Sequence, residues 1–398
     1  MKKSALDRWV CRKEGLSELK PSDIQDIQLR KLNRLLERER NRSGFYRELP
    51  VKISSLEELE KLPFTTEEDL KRCGNSMVLV SQSQIQRVRT QQTSGTTGPA
   101  KRVYYAEEDN ERTVSFFAAG LSELIFEGNR TMICMPFSGE RGLGEMIAEA
   151  VERLGADPVP AGDCGSFADY LELMNRSRPE VYVGPPVLLL SLLRLQPEHS
   201  LRRALVSGDA CPDGVMVEIE KLLGSRLYPH YGSREIGLGG AVTCPAFHGM
   251  HLRENDLLAE IVDERGKPLP RGEWGELAIT TLEAKAMPLI RYRTGDRARF
   301  LPEACPCGSC LVRLDRVSRS GEEGAMEKLD DRLFRFPEVV DYRAVKEKGG
   351  LRIEGVLKGR QDGFPAVWGE MPLQFRWREV SRRDEPCYRG KRRILTES

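Results

Sequence analysis

A short segment rich in hydroxyl groups and glycine is the first place where this sequence could bind a phosphate. It reads Thr93-Ser94-Gly95-Thr96-Thr97-Gly98-Pro99-Ala100-Lys101. Gly95 and Gly98 allow tight turns in which backbone amides point inward, as an anion-binding loop requires. The hydroxyls and Lys101 add side-chain donors for phosphate oxygens. Only two residues separate the glycines and no Gly-Lys-Ser/Thr follows, so this is not a Walker A loop, and an exposed turn without a ligand is the alternative.

Four further segments accompany this loop along the chain. They are LPFTTEEDLK (62–71), SGDA (207–210), YGSREIG (231–237) and MPLIRYRTGD (287–296). Together the five segments resemble the AMP-forming acyl/aryl-CoA ligases, and especially the phenylacetate-CoA ligase-like branch, over about residues 45–316. The resemblance implies that 93–98 is the phosphate loop, that 207–210 is the turn on the adenine side, and that 287–296 binds the ribose.

The chemistry of such an enzyme explains why these residue types are suitable. Transfer of an adenylyl group to a carboxylate requires that the α-phosphate is held in line and that its developing charge is neutralised. Lys101 suits the phosphates, and Glu235 suits Mg²⁺, which proteins bind through one or two carboxylates together with nucleotide phosphates. Asp296 can accept two hydrogen bonds from a ribose diol, and Tyr231 can stack on adenine. The alternatives are surface charges for the two acids and an ordinary core aromatic for Tyr231.

The residues assigned to the nucleotide are spread over all of these segments. They are Thr93, Ser94, Gly95, Thr96, Thr97, Gly98, Ser207, Gly208, Asp209, Tyr231, Gly232, Ser233, Asp296 and Arg316.

Cysteine and histidine residues are concentrated in two segments that could share a metal ion. Cys305, Cys307 and Cys310 form C-P-C-G-S-C, and a second segment supplies Cys244, His248 and His251. Zinc prefers four nitrogen or sulfur ligands in a tetrahedron, and four protein ligands leave no open position for chemistry. Some members of the branch that the chain resembles carry a structural zinc built from such segments. We predict a structural zinc bound by Cys244, His251, Cys305 and Cys307, with His248 and Cys310 as reserve ligands and unligated thiols as the alternative.

The C-terminal part departs from the family pattern. Where the family has a hinge that reads Arg-Ile-x-Gly-Arg-x-Asp-Asp, this chain reads RVSRSGEEGAM from Arg316, and the segment that should line the pantetheine channel is shortened. The departure predicts that adenylate formation survives while CoA is a poorer acceptor than another thiol, an amine or a partner-borne nucleophile. Near the C-terminus, RGKRR (389–393) resembles the Gly-Lys-x-x-Arg pattern of the adenylation lysine, which would be Lys391. A basic tail is the alternative.

The resemblance implies an ATP- and Mg²⁺-dependent ligase that converts a carboxylic acid to an acyl-adenylate, releases pyrophosphate and transfers the acyl group to CoA. Aromatic acids are among the candidates. The expected catalytic residues are Glu235, Lys391 and Lys101. One alternative is an adenylating enzyme whose acceptor is a carrier protein, and another is a degenerate nucleotide-binding scaffold without catalysis. Relatives of this kind are commonly dimers, so a homodimer is also expected.

Composition excludes several other classes of protein. Lys and Arg number 62 and Asp and Glu 61, a net charge of +1 in 398 residues, so no global field attracts nucleic acid or an anionic membrane. The N-terminal residues include two lysines but no apolar stretch, and the longest mostly apolar run (181–193) contains two prolines and is shorter than the roughly 20 residues that a spanning helix needs. Ten cysteines without an export signal should stay reduced. We expect a cytoplasmic enzyme.

Alternating strands and helices must position these residues. Strands are predicted at 77–80, 130–137, 156–161, 180–184, 202–208 and 225–232, and helices at 21–42, 145–154 and 167–175, which favours a parallel sheet with crossover helices. After His251, strands alternate with Gly/Pro turns, as in antiparallel structure. A helix near 327–335 and strands at 339–345 and 351–357 follow. We predict an α/β protein with a large N-terminal domain (1–315), formed by mostly parallel sheets with flanking helices and a β appendage, and a small, shortened, mobile α+β domain (316–398).

Overall fold

A computed structural model of the chain describes residues 3–42, 44–91, 100–319, 321–359, 363–364, 367–368, 371–381 and 383–396. It divides into two compact units, and each consists of two stretches of chain. The first unit comprises Met1–Glu123 and His230–Val317, and the second comprises Leu124–Pro229 and Ser318–Ser398. The division into domains 1–315 and 316–398 stays a prediction.

The helices and strands within the described ranges have the following bounds. The helices are α1 (Ala5–Glu14), α2 (Pro21–Arg42), α3 (Glu67–Cys73), α4 (Glu107–Leu121), α5 (Leu143–Glu152), α6 (Phe167–Ser177), α7 (Pro186–Leu195), α8 (Asp213–Leu223) and α9 (Gly321–Leu333). The strands are β1 (Arg87–Gln91), β2 (Lys101–Tyr105), β3 (Arg130–Ile133), β4 (Asp157–Pro160), β5 (Val181–Gly184), β6 (Arg203–Val206), β7 (Tyr228–Tyr231), β8 (Ala241–Thr243), β9 (Met250–Leu252), β10 (Leu257–Val262), β11 (Gly275–Thr281), β12 (Tyr292–Ala298), β13 (Arg313–Leu314), β14 (Val339–Glu347), β15 (Gly350–Leu357), β16 (Val367–Trp368), β17 (Met371–Glu379) and β18 (Leu395–Thr396). In the part of the chain that is described, no helix combines the length and hydropathy needed to cross a bilayer.

The first unit is built from antiparallel strands covered by helices. Strands β10, β11 and β12 form an antiparallel sheet, as predicted for the region after His251, and β1 pairs with β2 as a hairpin. The last residues of β7 pair with β8, which continues through β9 to β13. Helix α2 has the predicted bounds, and its apolar face, with Leu32, Leu35 and Leu36, is buried in the core of this unit.

The second unit contains the predicted parallel sheet. Its strands lie in the order β4-β3-β5-β6, and the first residues of β7 extend this parallel pairing beyond β6. Helices α5 to α8 connect the strands, as expected where parallel strands need crossover connections. The predicted α/β class is therefore confirmed.

The predicted strand at 77–80 is wrong. Met77 ends a 3₁₀ turn, and the residues after it form no strand ladder. The backbone N–H of Leu79 donates instead to the carbonyl of Ala286 at 2.8 Å, and the side chains of Met77 and Leu79 are buried. A short apolar run indicates burial but does not specify the backbone conformation.

The C-terminal stretch packs on helices of its own unit. Strands β14 and β15 are antiparallel, β17 is parallel to β15, and helix α9 begins at Gly321, earlier than predicted. Apolar residues of α7, α8, α9 and β14 share one buried core. The Ser191 hydroxyl in α7 donates to the carbonyl of Val340 at 2.7 Å, and the Arg194 guanidinium donates to the carbonyl of Phe334 at 2.6 Å. Helix α7 thus packs on the C-terminal sheet, and helix α8 packs on α9.

Candidate active site and metal centre

Lys101 and Glu235 form a buried ion pair in the first unit. Lys101 begins β2, and its Nζ lies 2.6 Å from Oε1 of Glu235. Both side chains are less than a tenth exposed. Burial alone would raise the pKa of Glu235, but the charge of Lys101 and its hydrogen bond outweigh burial and lower it, so the carboxylate is ionised at neutral pH. The structure therefore brings together the two charged side chains that the sequence assigned to phosphate and Mg²⁺. The phosphate-loop residues Thr93, Ser94, Gly95, Thr96, Thr97 and Gly98 lie outside the described residues.

The loop that carries Glu235 requires glycine at its start. After Tyr231 ends β7, the chain forms a 3₁₀ turn over Arg234–Ile236. A Cβ atom on Gly232 would lie 1.9 Å from the carbonyl oxygen of Leu238, so a larger residue cannot fit without moving the loop. This close approach explains why glycine follows Tyr231 in the 231–237 segment.

Tyr231 and Asp296 are joined by a hydrogen bond. The Tyr231 hydroxyl donates to Oδ2 of Asp296 at 2.7 Å, and both side chains are buried. Asp296 lies in β12 directly after Gly295, whose φ of 73° is in the left-handed region that favours glycine. Sequence reasoning assigned the two residues to adenine and ribose separately and did not detect this contact.

The turn at 207–210, which the resemblance assigned to the adenine side, lies in the second unit. The backbone N–H of Ser207 donates to the carbonyl of Gly184 at 3.0 Å, and Gly208 has a φ of 84°. The carboxylate of Asp209 accepts from the backbone N–H groups of Ala210 at 2.9 Å and Arg392 at 2.8 Å. Burial raises the pKa of Asp209 to about 6, although the two backbone donors oppose this.

The contact between Asp209 and Arg392 places the Lys391 segment beside the adenine-side turn. The Arg392 guanidinium is buried and pairs with Asp330 and Asp341, each at 2.9 Å. Lys391 itself is exposed, and its Nζ lies 3.9 Å from Oε2 of Glu323. Arg392 is therefore a structural anchor rather than part of a solvated basic tail. Sequence reasoning missed this role, because a buried arginine and an exposed arginine look the same in an Arg-rich segment.

A cleft in the second unit opens next to Asp209. Its space, including open solvent, is about 630 Å³. Most of its lining is apolar or aromatic, with contributions from Cys134, Pro136, Cys164, Tyr170, Val187, Leu188 and Tyr388. Its charged lining residues are Asp209, Asp341, Arg389 and Arg392, and both arginines are paired with carboxylates. Arg316, which the resemblance assigned to the nucleotide, belongs to the first unit and is exposed.

Four predicted metal ligands converge in the first unit. One ligand atom from each of Cys244, His251, Cys305 and Cys307 lies within 4.8 Å of all the others, and all four residues are buried. The Sγ atoms of Cys244 and Cys305 are 3.7 Å apart, and Cys307 Sγ is 3.4 Å from His251 Nε2. Ligand atoms in a tetrahedral zinc site are separated by about 3.5–3.8 Å when Zn–S is about 2.3 Å and Zn–N about 2.0–2.1 Å. The distances fit such a site.

The partners of His251 Nδ1, and those of the reserve ligands His248 and Cys310, favour the same four metal ligands. His251 Nδ1 lies 3.3 Å from the carbonyl oxygen of Leu311, which is the usual partner type for a zinc-ligating histidine. His248 Nδ1 instead lies 3.0 Å from Nη1 of Arg313, and Cys310 Sγ is 3.6 Å from the carbonyl oxygen of Leu19. Within the described ranges, the group of four that converges is the predicted one.

Comparison with known proteins identifies the same family that the sequence motifs resemble. The AMP-binding enzyme family matches residues 54–282. The phenylacetate-coenzyme A ligase of Thermus thermophilus is 30% identical over 373 residues, which cover 86% of this chain and 82% of that ligase. The phenylacetate-coenzyme A ligase of Escherichia coli is 29% identical over 287 residues, 69% of this chain and 64% of that ligase. Among solved structures, 2-hydroxyisobutyryl-CoA ligase in its postadenylation state shares the fold, with a TM-score of 0.77 and 18% identity over 95% of this chain and 90% of that one.

The family match extends over more than half of the chain, and the Thermus ligase is similar over most of both chains. The structure adds the paired Lys101 and Glu235 in the region of the family match. The protein uses ATP to convert a carboxylic acid to an acyl-adenylate, with release of pyrophosphate, and transfers the acyl group to CoA. The chain belongs to the AMP-binding enzyme family, in its phenylacetate-CoA ligase-like branch, and is an AMP-forming acid–CoA ligase.

Proposed function

We propose that the acid substrate carries an aromatic or other apolar group that enters the cleft beside Asp209. The observation that supports this is the lining of the cleft, to which Tyr170, Leu188 and Tyr388 contribute apolar surface next to the adenine-side turn. Ligand pockets are mostly apolar and use a few polar groups to fix orientation. An aromatic acid matches this lining better than a small polar acid does. The two relatives named as phenylacetate-coenzyme A ligases act on an acid of this class.

In the first unit, Lys101 is proposed to donate to phosphate oxygens of ATP, and Asp296 is proposed to accept hydrogen bonds from the ribose diol. The hydrogen bond from Tyr231 fixes one oxygen of Asp296 and thereby the direction of its carboxylate. The ion pair with Glu235 positions the Lys101 ammonium group before the nucleotide binds. Stacking of Tyr231 on adenine and contacts of Gly232 and Ser233 with the nucleotide stay predictions.

Glu235 is proposed to hold the Mg²⁺ that accompanies ATP. Its carboxylate is buried and ionised and lies beside Lys101, which is itself suited to a phosphate group. A hard cation bound by one carboxylate and nucleotide oxygens is the usual arrangement for Mg²⁺. When bound, the ion neutralises charge that develops on the phosphates. The chain's own contribution is to keep the carboxylate oriented and compensated when no nucleotide is present.

Lys391 is proposed as the cation that approaches the α-phosphate and the acid's carboxylate during adenylation. The support is its attachment through Arg392 to Asp209 of the adenine-side turn. A lysine on a flexible stem is a compact charge that can reach a nearby anion. The role of Arg316 and the mobility of the C-terminal part stay predictions.

The cluster of Cys244, His251, Cys305 and Cys307 is proposed to bind a structural zinc ion. Its donor set, its distances and the Leu311 carbonyl beside Nδ1 of His251 all fit zinc. The ion would cross-link the segment after β8 to the loop between β12 and β13.

The proposal for the acid can be tested at Tyr170, which is buried against the cleft. In Tyr170→Ala, KM for aromatic acids in the pyrophosphate-release assay is expected to rise roughly tenfold, about 1.4 kcal/mol. The reason is that the apolar contact between the Tyr170 ring and the acid is lost. KM for ATP should stay within about twofold of the wild type, since Tyr170 is not assigned to the nucleotide.

Tyr170→Phe is the matched control, because it keeps the ring and removes only the hydroxyl. We expect it to retain the wild-type KM for aromatic acids. Equal KM values in the alanine variant and the wild type, across a panel of aromatic acids, would show that the cleft does not receive the acid.

Further predictions from the sequence concern the acyl acceptor, the oligomeric state and the location of the protein. Family membership makes CoA the acceptor, and the efficiency of CoA with the shortened hinge stays a prediction. Transfer to an acceptor protein, a homodimer and a cytoplasmic location likewise stay predictions. The noncatalytic scaffold is not supported, because the family and its named relatives are enzymes.

A further inference from the structure

Side-chain hydroxyl groups donate hydrogen bonds to backbone carbonyl groups of the loop that carries Glu235. On one side of Glu235 in the chain, the carbonyl of Arg234 accepts a hydrogen bond from the Tyr105 hydroxyl. Two residues beyond Glu235, the carbonyl of Gly237 accepts one from the Thr113 hydroxyl at 2.8 Å. Tyr105 ends β2 and Thr113 lies in α4, so the end of a strand and the helix that follows it support both ends of the short turn.

Arg253 supports the middle of the same loop. Its Nη2 donates to the carbonyl of Ile236, the residue directly after Glu235. Its backbone N–H donates to the carbonyl of Gly240 at 3.0 Å, so its main chain and its side chain both bind the loop. The guanidinium carbon also lies 5.3 Å from the ring centre of Phe116, in range of a cation–π contact.

The burial of Arg253 is costly for a residue with only a structural role. The residue is 4% exposed, and among the residues that the structure describes, its Nε and Nη1 have no hydrogen-bond partner. Burial lowers the pKa of Arg253 to about 10, so it still carries its charge at neutral pH. A buried charge without full compensation lowers stability, and an apolar side chain would fill such a space at less cost. The charge of the buried Asp256 offsets part of this cost, but the hydrogen bond of the guanidinium group goes to the carbonyl of Ile236, in the loop that carries Glu235.

We propose that Arg253 is a positioning residue for Glu235: it fixes the peptide after Glu235 so that the carboxylate faces the bound magnesium–nucleotide complex. This inference rests on the proposed role of Glu235. The Ile236 carbonyl belongs to the next residue in the chain, so a shift of that group moves the backbone of Glu235 with it. A misplacement of about 1 Å at a catalytic group can reduce the rate by about 100-fold.

The test is a magnesium titration of Arg253→Met and Arg253→Lys with two readouts: the ATP–pyrophosphate exchange rate with ATP and the acid saturating, and calorimetric binding of Mg²⁺ to the protein with ATP, in which the same shift is expected. Methionine fills the space but cannot donate, and it is expected to raise the Mg²⁺ concentration for half-maximal rate by at least about tenfold. Lysine can still donate to the Ile236 carbonyl, so it should recover most of this loss. If Arg253→Met does not fold, Arg253→Gln takes its place, because its shorter amide also loses the contact.

Arg194→Met is the matched control for the loss of a buried arginine. Arg194 is 5% exposed and donates to backbone carbonyls in the second unit, including that of Phe334. We expect it to lower the melting temperature without changing the magnesium dependence. The proposal is overturned if folded Arg253→Met, or Arg253→Gln in its place, reaches half-maximal rate at the same Mg²⁺ concentration as the wild type.

Glu235→Gln in the same titration distinguishes a failure of the role proposed for Arg253 from a failure of the role proposed for Glu235. If Glu235→Gln shifts the magnesium dependence and Arg253→Met does not, only the role of Arg253 is overturned. If neither variant shifts it, the assignment of Glu235 to magnesium fails as well. A shift in both variants with recovery in Arg253→Lys supports both assignments.

Discussion

Replacement of Glu235 by glutamine is expected to slow ATP–pyrophosphate exchange at least about tenfold, which corresponds to roughly 1.4 kcal/mol in the activation barrier. The change preserves the size of the side chain but removes the charge that faces Lys101 at 2.6 Å. It therefore weakens binding of the hard cation and leaves a buried ammonium without its nearest carboxylate. The defect should be largest at low Mg²⁺ and should shrink, without disappearing, as Mg²⁺ is raised.

Glu67→Gln provides the matched control in the same neighbourhood. Oε2 of Glu67 lies 3.7 Å from the Nζ of Lys101, but this side chain is 42% exposed and is not assigned to the nucleotide. We expect its exchange rate to stay within about threefold of the wild type, because partly exposed pairs contribute little. Melting temperatures of both variants show whether a rate change reflects unfolding. Wild-type exchange by Glu235→Gln throughout the magnesium titration would remove Glu235 from the mechanism.

Loss of Cys305, which we propose as a zinc ligand, is expected to produce the largest effect on stability. Protein washed with a weak chelator should contain one zinc per chain by elemental analysis, and Cys305→Ser should contain much less. Metal-bound cross-links contribute directly to folding free energy. A loss of about 3 kcal/mol would lower the melting temperature by roughly 6–12 °C for a unit of 150–250 residues. Adenylation measured at low temperature should be affected less, because the proposed nucleotide residues are not zinc ligands.

Cys310→Ser is the control for this prediction, since Cys310 lies in the same loop but outside the converging group. Its zinc content and melting temperature should match those of the wild type. Metal-free wild-type protein with the same melting temperature as zinc-loaded protein would refute a structural zinc. Loss of zinc in Cys310→Ser together with its retention in Cys305→Ser would show that the ligands were assigned incorrectly.

The parts of the site that could be predicted from the sequence are those in which residue type and spacing are tied to chemistry. The ligand set of Cys244, His251, Cys305 and Cys307 converges as expected, because zinc restricts both donor type and number. Gly232 could be recognised within its motif, since the tight loop leaves no room for a side chain. The alternation of strands and helices likewise predicted the parallel sheet, whose long crossovers impose that pattern.

Other features depend on contacts between distant segments and leave no local signal. Arg253 and Arg392 are both buried, but residue type alone does not distinguish them from exposed arginines of the chain such as Arg316. The hydrogen bond between Tyr231 and Asp296 joins residues 65 positions apart. The apolar run at 77–80 was predicted as a strand because it is short and apolar, yet tertiary packing decides its backbone conformation. Burial of a polar side chain is a property of the folded chain as a whole, which residue spacing alone does not reveal.

The most direct test of the function is to measure both products of one reaction. The protein is incubated with ATP, Mg²⁺, CoA and a panel of aromatic acids, and AMP and acyl-CoA are quantified by mass spectrometry. We expect equal amounts of AMP and acyl-CoA from at least one aromatic acid, with both products absent when the acid or ATP is omitted. The CoA concentration needed for half-maximal rate then tests the effect of the shortened hinge. AMP formation without acyl-CoA at saturating CoA, or no AMP with any acid of the panel, would contradict an AMP-forming ligase that activates aromatic acids for transfer to CoA.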